Sequence, residues 1–315
     1  MGYRLPLVTT ISIFLLLLAG SLVVNFDAGL ACPDWPLCNG KIIPPLQGKV
    51  VIEYSHRMLT TVVSLLIFVN VFVAWRKRKH NGLPFKLSLV AVVLLFLVAA
   101  SGAINVMLKL PPGFTAIDVS EGMLLFATYV VMTAVTLADH LKKQNSFHPA
   151  KLVKAIYKPA LVATIATFLE VVLGTFFEHS KAGKIWIAEE YRLLNHVISS
   201  KEIAAAVGYT HMFTTFIVCG TILYAFFHSI QKKVLKGTSI TLIVLLVLQT
   251  LAGFAAILTK LSIVSEMAHL ALAALTLAGC VFLTAQAKFG VDLLVHSPKL
   301  SVVPIKKQRT HLKAN

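Results

Sequence analysis

The sequence predicts an all-α integral membrane protein with eight transmembrane helices. Hydrophobic residues make up 57% of its 315 residues and charged residues only 13%, and the mean hydropathy is +0.81. This composition excludes a water-soluble enzyme. The apolar residues also fall into blocks of about 20, the length that a helix needs to cross roughly 30 Å of hydrocarbon.

Eight apolar blocks mark the predicted spans, with ends placed to within a few residues. Arg4 precedes the first block, which is too long for the apolar region of a signal peptide and lacks a clear small-residue cleavage site. We therefore keep it as span 1. In chain order the spans are approximately 5–26, 54–75, 85–108, 115–138, 159–177, 203–227, 238–258 and 263–285.

The basic residues predict the orientation of the chain. They form short clusters at the ends of spans rather than one soluble face, so the net charge of +16 does not indicate a nucleic-acid partner. With a cytoplasmic amino terminus, most lysines and arginines lie on the cytoplasmic side, as the positive-inside rule requires. Both termini are then cytoplasmic, and the long loops at roughly 28–53 and 178–202 lie outside. We expect a multi-pass protein of the plasma membrane.

The chain repeats itself, which predicts two pseudo-symmetric four-helix bundles. The segment YSH at the start of span 2 and the segment YTH in span 6 lie about half the chain apart, and VSE opens both span 4 and span 8. An even number of helices in each half keeps the two copies in the same orientation. We predict an N-terminal bundle over 1–140, a cytoplasmic linker over 141–158, a C-terminal bundle over 159–288 and a basic cytoplasmic tail over 289–315.

Two of the four cysteines lie in the first outer loop. Cys32 and Cys38 flank the segment CPDWPLC, whose prolines bend the chain, and outer-surface thiols tend to pair. A disulfide here would be either a structural staple or a redox-active pair that takes part in chemistry at the outer face. Cys219 and Cys280 fall inside spans and are interpreted as packing residues.

Ionisable residues inside the hydrocarbon are costly and indicate function. Of the 11 histidines, His56, His211 and His269 lie within spans, all near the outer ends. Opposed imidazoles on two helices can ligate a haem iron from both faces, so His211 and His269 indicate a haem that carries electrons. Small neighbours such as Gly208 would let a flat macrocycle approach, although they also serve ordinary helix packing.

A di-metal carboxylate centre is the alternative interpretation of the same spans. Two Glu-x-x-His motifs end at His56 and His269, and Glu121 and Glu170 could supply the further carboxylates of such a centre. The two motifs belong to different halves of the duplication, however, and Glu170 is predicted mid-span, at a different depth from the histidines. These placements favour the haem.

The run GLACPDWPLCNG over 29–40, the segment EYSHR over 53–57 and the duplicated layout with histidines in spans 6 and 8 together resemble the haem A synthase family. The resemblance covers nearly the whole chain. It implies that haem O, which bears a farnesyl chain, is oxidised at its C8 methyl group to the formyl group of haem A, for use by cytochrome oxidase. The N-terminal bundle would hold this substrate, and the C-terminal bundle a haem b cofactor for electron transfer. The family's outer-loop disulfide would match Cys32 and Cys38.

Carried over by position, the resemblance assigns roles toward the outer face. His56 would ligate the substrate iron, and His211 and His269 the haem b iron. Glu53 would act in catalysis by stabilising positive charge or accepting a proton; alternatively it is only a carboxylate favoured by the helix N-terminus. Outer-side cations that could pair with haem propionates, or be surface charges, are Arg57, Lys109, Arg192 and Lys260.

The sequence departs from the family pattern in span 4. A second histidine ligand of the substrate haem is expected near the start of this span, but no histidine lies between Ile117 and Ala138. The substrate iron would then have no second protein ligand, or Met123 would provide one. Either state is closer to an oxygen-activating centre than a haem with two histidine ligands.

The resemblance also implies partners. One is haem O synthase, a farnesyltransferase, which would donate the substrate. The others are a quinone or other electron acceptor and cytochrome oxidase assembly factors. A homo-oligomer is left open. The alternative function is a membrane b-type cytochrome that moves electrons between quinone and an outer partner, and a di-iron carboxylate membrane oxidase is a third. A cytochrome would need a permanent second haem with two strong ligands, which the missing histidine disfavours.

Overall fold

The structure, a computed structural model, describes residues 1–111, 113–142, 150–180, 182–187 and 201–289. Every regular element in these residues is an α-helix. The helices are α1 (Arg4–Asn25), α2 (Lys49–Lys77), α3 (Leu83–Met107), α4 (Phe114–Lys142), α5 (Ala150–Lys154), α6 (Tyr157–His179), α7 (Ala182–Ile187), α8 (Lys201–Lys232), α9 (Lys236–Leu258) and α10 (Ile263–Phe289).

The eight predicted spans are confirmed. They correspond to α1–α4, α6, α8, α9 and α10, each of which is long and apolar enough to cross a membrane. Their ends lie within about five residues of the predicted ones. Several helices continue past the apolar block because a helix need not end where the hydrocarbon ends; α2, for example, begins at Lys49 rather than near residue 54.

The long helices form the two predicted four-helix bundles. In the first, α1 contacts α2 and α4, and α3 contacts α2 and α4. In the second, α8 lies between α6 and α9, and α10 lies between α9 and α6. Each set of four helices therefore encloses its own interior.

Helix α4 joins the bundles. It packs against α6 and α10 as well as its own neighbours, and it is the most buried of the eight spans. Tyr129 and Met132 of α4 share one hydrophobic core with Val171 of α6 and Leu277 of α10. In the described part of the predicted linker, Val153 and Ile156 are buried in the core of the second bundle. The bundles are thus in direct contact along α4, while the domain boundaries and the orientation of the termini stay predictions.

Both bundles have polar interiors at the same end. Here α1, α3, α6 and α9 end, and the loop with Cys32 and Cys38 leads into α2; we call it the disulfide end. A contact of 3.3 Å between the hydroxyl groups of Ser120 on α4 and Thr175 on α6 joins the bundles at this end. The opposite end of the second bundle is filled by apolar side chains, among them Ile222, Leu242 and Leu283.

Candidate functional site

Each of the three predicted histidines lies against a glycine of a neighbouring helix. The pairs are His56 of α2 with Gly20 of α1, His211 of α8 with Gly174 of α6, and His269 of α10 with Gly253 of α9. A methyl group on the glycine would lie 3.4 Å from the imidazole Cε1 in the first pair and 3.1 Å in the other two. The glycines, which sequence analysis missed, therefore let the imidazoles pack directly against backbone.

The three imidazoles share a second property. Their Nδ1 atoms are buried. Those of His56 and His269 have no hydrogen-bond partner among the described residues, whereas that of His211 lies beside a carboxylate of α6. Leaving a buried polar atom unsatisfied costs about 1–3 kcal/mol, so these surroundings favour ligand-binding histidines over packing ones. Imidazole is a common ligand of haem iron.

Glu170 of α6 pairs with His211. Its Oε1 lies 2.9 Å from Nδ1 of His211, which is an ion-pair distance. The angle of this contact does not meet the geometry of a hydrogen bond. Thr215 donates a hydrogen bond to the same oxygen at 2.7 Å. The prediction that Glu170 lies at a different depth from the histidines is wrong. Because α8 begins at Lys201, before its apolar block, His211 lies about as far from the start of α8 as Glu170 does from the end of α6.

His269 has a neutral neighbour instead. Its Nε2 lies 3.3 Å from Nε2 of Gln249 on α9. The rings of His269 and His211 each pack on a neighbouring helix of the second bundle, at Gly253 of α9 and Gly174 of α6, and the Nδ1 atoms of both are buried. The structure thus brings together the two residues predicted to ligate haem b.

Gly208 serves packing between protein side chains and not the approach of a macrocycle. A methyl group at this position would lie 2.6 Å from the indole of Trp186, and the same indole packs edge-on against Phe177 and Tyr209. The space beside Gly208 is therefore filled by protein and is not left for a macrocycle.

Glu53 is buried in the first bundle, with only 5% of its surface exposed. Because α2 begins at Lys49, this carboxylate lies beyond the first helical turn, to which the attraction of a helix N-terminus is largely confined. Arg57 donates a hydrogen bond from Nε to Oε1 of Glu53 at 2.8 Å. The burial of Glu53 and its pairing with Arg57 both weigh against the alternative that it is only a charge at a helix end.

Two more carboxylates lie on the same side of the first bundle. Asp118 interacts electrostatically with Glu53 and with Glu121, and Ser101 donates a hydrogen bond to Oε2 of Glu121 at 2.7 Å. Sequence analysis missed Asp118, although its spacing of three from Glu121 places both on one face of α4. In the part of the chain that the structure describes, no group of three or more His, Cys, Asp or Glu residues could hold a metal ion. The di-metal interpretation therefore finds no support there.

Helix α4 offers no clear second ligand for an iron at His56. Met123 is fully buried, in the hydrophobic core that the two bundles share. The repeat that aligns VSE of α4 with VSE of α10 places Leu124 where the second bundle has His269. These positions favour a substrate iron without a ligand from α4 over ligation by Met123.

Lys109 and Lys260 occupy equivalent positions at the disulfide end. They follow α3 and α9, with left-handed φ angles of 56° and 51°, and both are exposed. Each stands seven residues after a glycine, Gly102 or Gly253, which is about 10 Å along the helix axis. Each bundle therefore presents an exposed lysine at the turn that follows its third helix.

Arg57 differs from these lysines because its donors are engaged. Its Nη atoms donate hydrogen bonds to backbone carbonyl oxygens of the first loop, which weighs against the expectation that it pairs with a propionate. Arg192 lies outside the described residues.

Cys32 and Cys38 are disulfide-bonded, as predicted, with their Cα atoms 4.6 Å apart. The carboxylate of Asp34, between them, accepts hydrogen bonds from the backbone N–H groups of Asn39 at 2.6 Å and Gly40 at 2.7 Å. These bonds, led by that of Gly40, hold the pKa of Asp34 below its usual range. The loop is thus closed both by a covalent bond and by a charged side chain.

We expect this disulfide to be present in the isolated protein. In denaturant without reductant, a thiol reagent should label only Cys219 and Cys280, which are free in the structure. After reduction it should label all four cysteines, and mass spectrometry of the peptides identifies which. Labelling of Cys32 and Cys38 before reduction would contradict the assignment.

The chain is similar to known proteins over most of its length. The family model COX15-CtaA, described as cytochrome oxidase assembly protein, matches residues 46–281. The chain is 26% identical over 287 residues to the protein named haem A synthase of Bacillus licheniformis, covering 84% of this chain and 89% of that protein. Proteins of the same name are 28% identical over 270 residues in Lysinibacillus sphaericus, covering 82% and 86%, and 26% identical over 273 residues in Listeria monocytogenes, covering 83% and 87%.

Proposed function

The chain belongs to the COX15-CtaA family, the haem A synthases, and from this premise we propose that it oxidises the C8 methyl group of haem O to the formyl group of haem A. The observation that carries the proposal is the pairing of His56 and Glu53, one turn apart on α2. The imidazole lies against Gly20 and the carboxylate is buried. A substrate iron held by His56 would place the macrocycle in the first bundle beside Glu53.

The residues around Glu53 suit an oxidation that releases protons. Water adds its oxygen to the methyl carbon as an electron pair and two protons leave, which gives the alcohol. Loss of a second electron pair and two more protons gives the formyl group, and a quinone or another acceptor takes the electrons in both steps. Glu53 can stabilise positive charge at that carbon or accept a proton. Asp118 lies within electrostatic range of Glu121 and of Glu53, so α4 adds negative charge to the side of the bundle that holds Glu53.

The second bundle fits haem b with two histidine ligands. His211 and His269 bring imidazoles from two helices, both packed on glycine and both with a buried Nδ1. Glu170 adds a carboxylate beside His211, the kind of neighbour that commonly orients a metal-binding histidine. When bound, haem b would supply one-electron transfer.

Lys109 and Lys260 are the cations best placed for haem propionates. They occupy repeat-related turns, one at the disulfide end of each bundle, and both are exposed. If these lysines hold the propionates, each haem would be bound from the disulfide end, which we expect to be the outer face of the plasma membrane. Haem O synthase would deliver the substrate, and cytochrome oxidase assembly factors would receive the product.

Haem extraction tests the function directly. The chain would be produced with haem O synthase in a host that makes no haem A, purified, and its haems separated by chromatography and identified by mass. We expect haem A together with haem B, and no haem A from cells that lack the chain. Haem B in both bundles, with haem O left unconverted, would contradict the proposal and favour the electron-carrying cytochrome.

A further inference from the structure

Arg57 joins the disulfide loop to Glu53. Its Nε donates a hydrogen bond to Glu53 Oε1 at 2.8 Å. Its Nη1 donates to the carbonyl oxygens of Asp34 at 2.8 Å and Leu37 at 2.7 Å, and its Nη2 donates to that of Cys32 at 3.0 Å. The side chain is only 14% exposed, and that of Glu53 6%.

All three carbonyl acceptors belong to the segment that the disulfide closes. The bond between Cys32 and Cys38 limits the conformations of the residues between them, and the carboxylate of Asp34 holds the following turn through Asn39 and Gly40. The carbonyl oxygens therefore form a preset cradle. A planar guanidinium can donate to several such acceptors and to a carboxylate at once, which a lysine ammonium matches poorly.

We propose that Arg57 is a positioning residue through which the closed disulfide loop holds Glu53 in its working orientation, an inference that rests on the proposed function. With the loop closed, the cradle fixes the guanidinium, and the guanidinium fixes the carboxylate. A dithiol reductant that reduces Cys32–Cys38, while itself becoming a disulfide, frees the cradle. Arg57 then loses the constraint on three of its four acceptors, and Glu53 loses its fixed partner.

A double-mutant cycle tests this coupling. The variants are Arg57→Gln, the double substitution Cys32→Ser/Cys38→Ser, and their combination, each compared by its rate of haem A formation and by its KM for haem O. We expect Arg57→Gln to lower kcat by about tenfold or more and to change KM by less than about twofold. The combined variant should be no slower than the slower parent, because both changes break the same linkage.

Two further variants sharpen the test. Arg57→Lys keeps the positive charge but loses the planar guanidinium with its several N–H donors. We expect its rate of haem A formation to remain well below that of wild type. Lys49→Gln is the matched control, because Lys49 also donates to a loop carbonyl, that of Asp27 at 3.2 Å, but does not touch Glu53. It should turn over like wild type. Retention of the haem b spectrum in every variant checks that the protein is folded.

Several outcomes would refute the coupling between Arg57 and the disulfide loop. Losses that multiply in the combined variant, or full activity in Arg57→Lys, would refute the coupling, and a large rise in KM would make Arg57 a substrate-binding residue instead. The rate at which mild dithiol exposes the two thiols gives a readout that does not need haem A. The two thiols should be exposed faster in Arg57→Gln than in Lys49→Gln or wild type. Equal rates would overturn the proposal that Arg57 and the disulfide loop hold each other in place. Absence of haem A from wild type, by contrast, would count against the proposed function alone.

Discussion

Glu53→Gln is expected to lower haem A formation by about a hundredfold or more, the scale at which a positioned acid or base contributes, while both haems stay bound. The substitution keeps the size of the side chain and an oxygen that can accept the hydrogen bond from Arg57. It removes the charge that would act on the reacting carbon. An interaction made only in the transition state contributes little to ground-state affinity, so haem O should still bind and the alcohol could accumulate.

Two further variants are compared with Glu53→Gln: His56→Ala, which should affect binding, and Asp27→Asn, which is a control. His56→Ala should weaken binding of haem O itself, because it removes the expected ligand of the substrate iron. Asp27→Asn removes a carboxylate at the same end of the first bundle, but from an exposed position, and should leave haem A formation unchanged. The measurement is the ratio of haem A, alcohol and haem O extracted after co-expression with haem O synthase. Near-normal haem A from Glu53→Gln would show that the carboxylate has no part in the chemistry.

His211→Ala and His269→Ala should each remove the low-spin haem b spectrum while the protein remains in the membrane. A haem with two histidine ligands needs both imidazoles for its low-spin state, and each of these rings lies against its own glycine. Loss of haem b should also stop turnover, since the first bundle would have lost its electron-transfer partner. Absorbance spectra of the reduced purified variants measure the effect.

His228→Ala is the control for both variants. His228 lies on α8 as His211 does, but near the opposite end of the helix, where it packs against Tyr224 with ring centroids 4.5 Å apart. This variant should keep the spectrum, which would separate a ligand role from a general effect of losing a histidine. An unchanged spectrum in both His211→Ala and His269→Ala would exclude them as ligands.

The eight spans could be predicted from the sequence because crossing a membrane is a local property. Length and apolarity of one segment decide it, without reference to the segment's neighbours. The internal repeat in turn indicated the two bundles, since repeat-related segments fold alike. The three histidines were identifiable for the same reason: a polar residue within an apolar block is conspicuous in the sequence alone. The cysteine pair was also readable, because both cysteines lie in one short outer loop.

Only the tertiary structure decided what each of these residues touches. The depth of one helix against another depends on side-chain packing between them, so the approach of Glu170 to His211 could not be obtained from two separate apolar blocks. The same holds for the glycines behind the histidines and for Asp118 beside Glu121 and Glu53. The charge of Arg57 is visible in the sequence, and by itself it predicts only an outer-side cation. Its acceptors are three backbone carbonyls, which carry no sequence signature and become a site only when a disulfide folds their segment over the end of α2.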